Sequence, residues 1–235
     1  MMKYYLLSIS LITLLAYACQ LETERIDRYE LQGIDVSHYQ SYINWKIIAD
    51  QGISFVFIKA TEGKEMYDTL FCHNWDEVRF AGLKRGAYHF FRPSISSQLQ
   101  ADNFTFWVKL QPGDLPPVLD VEVIDGVSKE QLLEGVKNWL EIVEIHYGVK
   151  PILYSNLKLY NQILAGHFDE YPIWIARYSH RQPILASGRD WQFWQYGNRG
   201  KLNGVHGNID FNVFKGTQGQ LDSLCITSKV ILSNR

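Results

Sequence analysis

The sequence predicts an α/β fold: an irregular TIM-like β/α barrel of eight strands and about five helices, with the last strand antiparallel. Three observations lead there. Eight strand-like runs recur along the chain, with helical patterns between the early ones, and that alternation marks parallel βαβ units. The late gaps carry no helical period, although a parallel crossover needs about a dozen residues or more. The chain has 235 residues, 46% of them hydrophobic, which suits one domain with a large core.

In order, the strands are 33–37 "GIDVS", 53–60 "ISFVFIKA", 84–91 "KRGAYHFF", 117–124 "PVLDVEVI", 150–155 "KPILYS", 172–178 "PIWIARY", 191–196 "WQFWQY" and 208–214 "NIDFNVF". Apolar residues at three- and four-residue spacing predict helices over 44–51, 68–82, 96–110 and 128–148, with a short one over 157–164. Ser128 with Gln131 reads as a capping box, and Gly148 as a helix stop. Residues 179–190 and 197–207 are rich in Gly, Arg, Asn and Ser. The second of these reads as a hairpin loop, which turns the eighth strand antiparallel to the seventh.

The N-terminus "MMKYYLLSISLITLLAYAC" has a lysine, an apolar run, small residues at Ala16 and Ala18, then Cys19. This is the layout of a secretory signal peptide, and the cysteine after the small residue resembles a bacterial lipoprotein signal. The expected organisation is a signal peptide over 1–18, a lipidated Cys19 and tether over 19–32, a catalytic barrel over 33–215 and a C-terminal tail over 216–235. Localisation would then be the exported side of the cell envelope, with a membrane anchor through Cys19. A plain signal peptide cut near Ala18, or an uncleaved anchor, is the alternative. Cys72 and Cys225 remain, and their spacing leaves a disulfide open. Net charge is −2 with no basic block, so nothing argues for nucleic acid. No histidine pair has metal-ligand spacing, so neither a metal nor another cofactor is expected.

The strand "LPPVLDVEV" raises the functional question. Alternation puts Asp120 and Glu122 on one face and Leu119, Val121 and Val123 on the other. Chemistry in parallel barrels gathers at the C-terminal strand ends. Asp35 lies near the end of the first strand and Glu62 follows the second. Tyr88 ends the third, Tyr154 the fifth and Gln195 the seventh, and Trp174 lies on the sixth. Asp210 starts the eighth, which reaches the same rim if that strand is antiparallel. Glu62 is open between a cleft residue and an ion-pair partner of Lys59 or Lys64. Crowded carboxylates raise each other's pKa and keep one protonated near neutrality, as glycoside hydrolysis needs. One acid at this mouth should then stay protonated beside ionised neighbours.

The motifs "GIDVSHYQ…INW", "FVFIKATEG", "GAYHFF", "LDVE", "ILYSN", "IWIARY", "WQFWQY" and "IDFNVF" together resemble glycoside hydrolase family 25. These are lysozymes that cut the β-1,4 bond between N-acetylmuramic acid and N-acetylglucosamine in peptidoglycan. The resemblance spans about residues 32–215. It implies Glu122 as general acid/base and Asp120 as the residue that orients the substrate's 2-acetamido group, whose carbonyl oxygen attacks. It implies Asp35 and Asp210 as the other two cleft carboxylates, and Tyr88, Tyr154, Trp174 and Gln195 as lining of the sugar cleft. The expected partner is a peptidoglycan glycan strand, bound by a monomer. Two alternatives stand beside it. One is a chitinase-like acetamido-sugar glycosidase, whose longer Asp-rich signature is absent here. The other is a catalytically dead glycan-binding barrel, which has no need of a buried proton donor.

Overall fold

The computed structural model of the chain describes residues 22–227. The apolar N-terminal run and Cys19, and with them the signal-peptide and lipidation expectations, lie outside those residues. Nine strands form one sheet: β1 (Leu31–Val36), β2 (Ile53–Glu62), β3 (Met66–Tyr67), β4 (Lys84–Phe90), β5 (Val118–Val121), β6 (Ile152–Asn156), β7 (Ile173–Ala176), β8 (Phe193–Gly200) and β9 (Ile209–Phe214). Eight of them close a barrel in the order β1, β2, β4, β5, β6, β7, β8, β9 and back to β1, and the two-residue β3 is a flap on β2. Neighbours from β1 to β8 are parallel. Strand β9 runs antiparallel to both β8 and β1, as the short, glycine-rich connection before it predicts. Its register sets Asp210 directly opposite Asp35.

The helices are α1 (Trp45–Ala49), α2 (Phe71–Phe80), α3 (Ser97–Trp107), α4 (Lys129–Tyr147), a short α5 (Leu157–Leu159) continued by a wider π turn (Tyr160–Leu164), and α6 (Gln218–Leu224). Helix α4 starts at the Ser128–Gln131 capping box and ends at Gly148, whose φ of 69° suits a residue without Cβ. No helix covers the wall between β7 and β8, which a long loop crosses instead.

Side-chain alternation builds two apolar layers. Phe55 and Phe57 on β2 point into the barrel with Trp174, Phe193 and Phe214. Val56 and Ile58 point outward, into the layer shared with the helices. Gly86 makes room for this filling: a Cβ there would sit 2.7 Å from the Phe57 ring. The barrel is thus a packed core below and a polar mouth above.

Two stretches read from the sequence as lying outside the barrel pack onto it. In the tether, Ile26 is buried, the Thr23 amide donates to Arg199 O, and Arg25 donates to Gln51 O. In the tail, α6 closes the lower end of the barrel. Leu221, Cys225 and Ile226 are buried there, and the Ile226 amide donates to Asp114 O. Buried apolar side chains, not the polar residues around them, hold both segments. Cys72 is exposed and Cys225 buried, and both are free, so the open question of their pairing resolves to two thiols. Among the described residues no helix is long and apolar enough to cross a membrane.

Candidate active site

Parallel strands bring their C-terminal ends to one rim, and antiparallel β9 brings its start there. The result is a cavity of about 260 Å³ lined by Asp35, Tyr88, Asp120, Glu122, Tyr154, Trp174, Gln195 and Asp210, together with Tyr39, Lys59, Phe90 and Tyr178. Eight of the nine residues picked from the sequence for this cleft therefore meet. Glu62 does not line it. Lys59 Nζ donates to Glu62 Oε2 at 2.7 Å, and Arg92 Nη2 and Nε donate to Oε1 at 2.7 and 3.0 Å. Burial opposes ionisation of Glu62, but these cations prevail and hold its carboxyl below the usual range. The ion-pair reading of Glu62 is the one the structure supports, because both its oxygens are already taken.

A directed hydrogen-bond network runs beneath the acids. Trp174 Nε1 can only donate, and it donates to Asn212 Oδ1 at 2.8 Å. That fixes the amide, whose Nδ2 donates to Asp35 Oδ2 at 2.7 Å. Gln195 Nε2 donates to the same Asp35 oxygen at 2.8 Å, leaving Gln195 Oε1 to accept from Tyr154 at 2.8 Å and from Tyr178 at 3.3 Å. The Tyr154 hydroxyl also lies 3.1 Å from Glu122 Oε1. It owns one proton and faces two acceptors. With the proton on Gln195, the contact to Glu122 is a hydrogen bond only when Glu122 is protonated and donates. When Glu122 is ionised, the Tyr154 proton turns to it and Tyr178 still serves Gln195.

Electrostatics follow from burial and crowding. Burial raises Asp35 to about 6, with the Glu122 charge adding to it and the two amide bonds opposing. Asp210 rises to about 8 from burial and the charges of Asp35 and Glu122. Glu122 is raised by burial, against the pull of Tyr154 and Lys59. Asp120 is driven well up by burial and then by the Glu122 charge. Burial and crowding thus oppose the ionised form of Asp120 that its implied role of orienting the acetamide calls for. Its Oδ1 is buried with no hydrogen-bond partner, so its charged form lacks the donor it needs. Among the described residues, Lys59 is the one cation lining the cavity, and no three His, Cys, Asp or Glu side chains there are grouped to hold a metal ion.

Sequence reasoning passed over Lys59 and Asn212. Both were visible by alternation: Lys59 follows Phe55 and Phe57 on the inward face of β2, and Asn212 follows Asp210 on that of β9. His89, next to Tyr88 on β4, packs away from the cavity. Its Nε2 donates to Gln100 Oε1 at 3.1 Å, Thr61 Oγ1 donates to its Nδ1 at 2.7 Å, and burial lowers it to about 4, so it is neutral.

Comparison with known proteins gives a consistent picture. The family model described as glycosyl hydrolases family 25 matches residues 34–205. The YegX protein of Escherichia coli is 46% identical over 83% of this chain and 73% of its own length. Lysozyme M1 of Streptomyces globisporus is 35% identical over 84% of this chain and 72% of its own. The structure of a family 25 glycosyl hydrolase from Bacillus anthracis superposes with a TM-score of 0.82 at 36% identity, covering 88% of this chain and 98% of that one.

Proposed function

The chain belongs to glycosyl hydrolases family 25, and from that premise we propose that it is a lysozyme, a 1,4-β-N-acetylmuramidase that hydrolyses the bond between N-acetylmuramic acid and N-acetylglucosamine in peptidoglycan. The observation that carries the reading is the pair Asp120 and Glu122 at the end of β5, facing one acid-lined cavity with a phenol poised on Glu122.

Glu122 protonates the glycosidic oxygen as the C1–O bond breaks. The substrate's acetamide carbonyl oxygen bonds to C1 in its place. The acetamide N–H supplies the donor that Asp120 Oδ1 lacks, which draws Asp120 to its ionised form and aims the carbonyl at C1. Glu122, now a carboxylate held by the Tyr154 hydroxyl, takes a proton from the water that attacks C1 and restores the acetamide. Two carboxyl groups working as acid/base and as support are the usual apparatus of glycoside hydrolysis, here with the substrate as its own nucleophile. Asp35, fixed by Asn212 and Gln195, keeps negative potential beside the cationic transition state, while Asp210 opposite it holds its proton up to about pH 8. Tyr88, Tyr154 and Trp174 wall the sugar site, and Tyr39 and Tyr178 extend it at the rim. No step calls for a metal or cofactor.

The protein acts on the cell wall from the exported side, anchored through a lipid on Cys19. It works as a monomer. The closed sheet favours this, because among the described strands only the two-residue β3 presents an edge. The test is digestion of purified peptidoglycan with analysis of the new reducing ends. Reducing muramic acid supports the reading, reducing glucosamine makes the protein a glucosaminidase, and no release makes it a glycan-binding barrel.

A further inference from the structure

A second cavity, of about 790 Å³, lies on the outside of the barrel wall, and its charge is opposite to that of the first. Arg28, Arg177, Arg181 and Lys215 line it with His180 and Tyr29, and among the described residues no carboxylate does. The charges are held in place without being cancelled. Arg28 donates to His180 O at 2.9 Å and Arg177 to Gln182 O at 2.7 Å, and both acceptors are neutral carbonyls. Lys215 meets Asp190 at 2.7 Å, but that aspartate is 78% exposed, a pairing of little net worth in water. Such clustering is not a property of the whole chain, whose net charge is −2.

Consecutive residues after β7 face the two cavities. Tyr178 lines the acidic one and hydrogen-bonds to Gln195, while Arg177, one residue earlier, lines the basic one. The basic cleft also lies partly beyond the family-matched stretch of 34–205, since Arg28, Tyr29 and Lys215 fall outside it. The flanking segments thus add to a cleft whose other lining residues lie within that stretch.

We propose that this basic cleft is an exosite that grips the carboxylates of the peptide stems carried by the glycan strand while the sugar chain lies in the acidic cleft. The inference rests on the lysozyme reading. Muramic acid bears its peptide on a lactyl ether, so each scissile bond has an anionic peptide hanging beside it. Guanidinium forks suit carboxylates, which they bind through two parallel hydrogen bonds. An acidic catalytic cavity repels a polyanionic wall, and a basic site next to it offsets that repulsion.

The test uses the full chain in detergent, with kcat/KM measured on intact peptidoglycan and on the same glycan stripped of its peptides. The wild type should prefer the peptide-bearing strand, and added salt should erode the preference. Arg181→Glu combined with Lys215→Glu, both on exposed side chains, should cut kcat/KM on intact peptidoglycan about tenfold and leave the stripped glycan unaffected. Arg181→Gln alone should lose about threefold, in keeping with the worth of one exposed charge pair. If the double variant keeps the wild-type preference, the exosite is overturned. It is equally overturned if that variant loses only its binding to vesicles of anionic phospholipid, since the cleft would then read a membrane. A wild type that cleaves neither substrate brings down the lysozyme reading itself.

Discussion

At the scale of single residues, the cavity depends on where a few protons sit. Glu122→Gln keeps the shape and the contact with Tyr154 but has no proton to give. Its turnover should fall by at least about 10²-fold, the worth of a positioned general acid, while glycan affinity measured by calorimetry persists. Near wild-type turnover would show that Glu122 is not the acid. Asp210 gives a prediction of the opposite sign for stability. Its pKa stands at about 8 against an ordinary 3.8, so the folded chain keeps a proton that the unfolded chain has lost. Stability from this group is whole below pH 4 and drains away as pH rises towards 8. Asp210→Asn removes the penalty and should stabilise the protein by on the order of 2 kcal/mol at pH 8, with little gain at pH 4. Thermal unfolding at the two pH values checks it. A variant equally stabilised at both would mean that the cost of ionising this buried carboxyl is not the cause. The same variant should lose activity, the usual relation between a strained site and a stable fold.

At the scale of elements, the lower barrel end is tied by a buried ion pair. Arg85 on β4 donates from Nε and Nη2 to the two oxygens of Asp114 at 2.8 and 3.2 Å, and lies 4.0 Å over the Trp75 ring. Asp114→Ala leaves that guanidinium buried without its counter-charge and should cost about 3–5 kcal/mol, read from urea unfolding. A loss below about 1 kcal/mol would mean that Trp75 and water carry the charge. Neither partner was legible in the sequence, since a buried pair across 29 residues leaves no local pattern. What was legible was period. Alternation on "VLDVEV" found Asp120 and Glu122, the helical period found α3 and α4, and the missing period after β8 found the antiparallel β9. The same alternation reaches Lys59 and Asn212, which lie on the inward faces of β2 and β9. Glu62 shows the limit: its neighbour Lys59 is in view, but Arg92, which takes its other oxygen, comes from 30 residues away. Helix α6 was missed because a helix of 7 residues is too short for period to show, although Thr217 and Gln220 form a capping box like that of α4.

At the scale of the whole molecule, the proposed anchor makes a separable claim. Cys19→Ala should abolish labelling by fatty acid and leave hydrolysis by the purified protein unchanged, because among the described residues the cavity lining starts at Asp35. Equal labelling of both forms would refute the anchor. The pairing of β9 with β1 has a consequence in time. Synthesis proceeds from the N-terminus, and the acid cavity draws on positions 35, 120, 122 and 210. Until the ninth strand has been made and has zipped between the first and the eighth, the cavity has a gap in its wall and lacks one of its carboxylates. That contact spans most of the chain, and contacts of such separation are late and slow to form. A copy that has not yet paired β9 should therefore be inactive, so the capacity to cut the wall is acquired only when the two ends of the barrel sequence join.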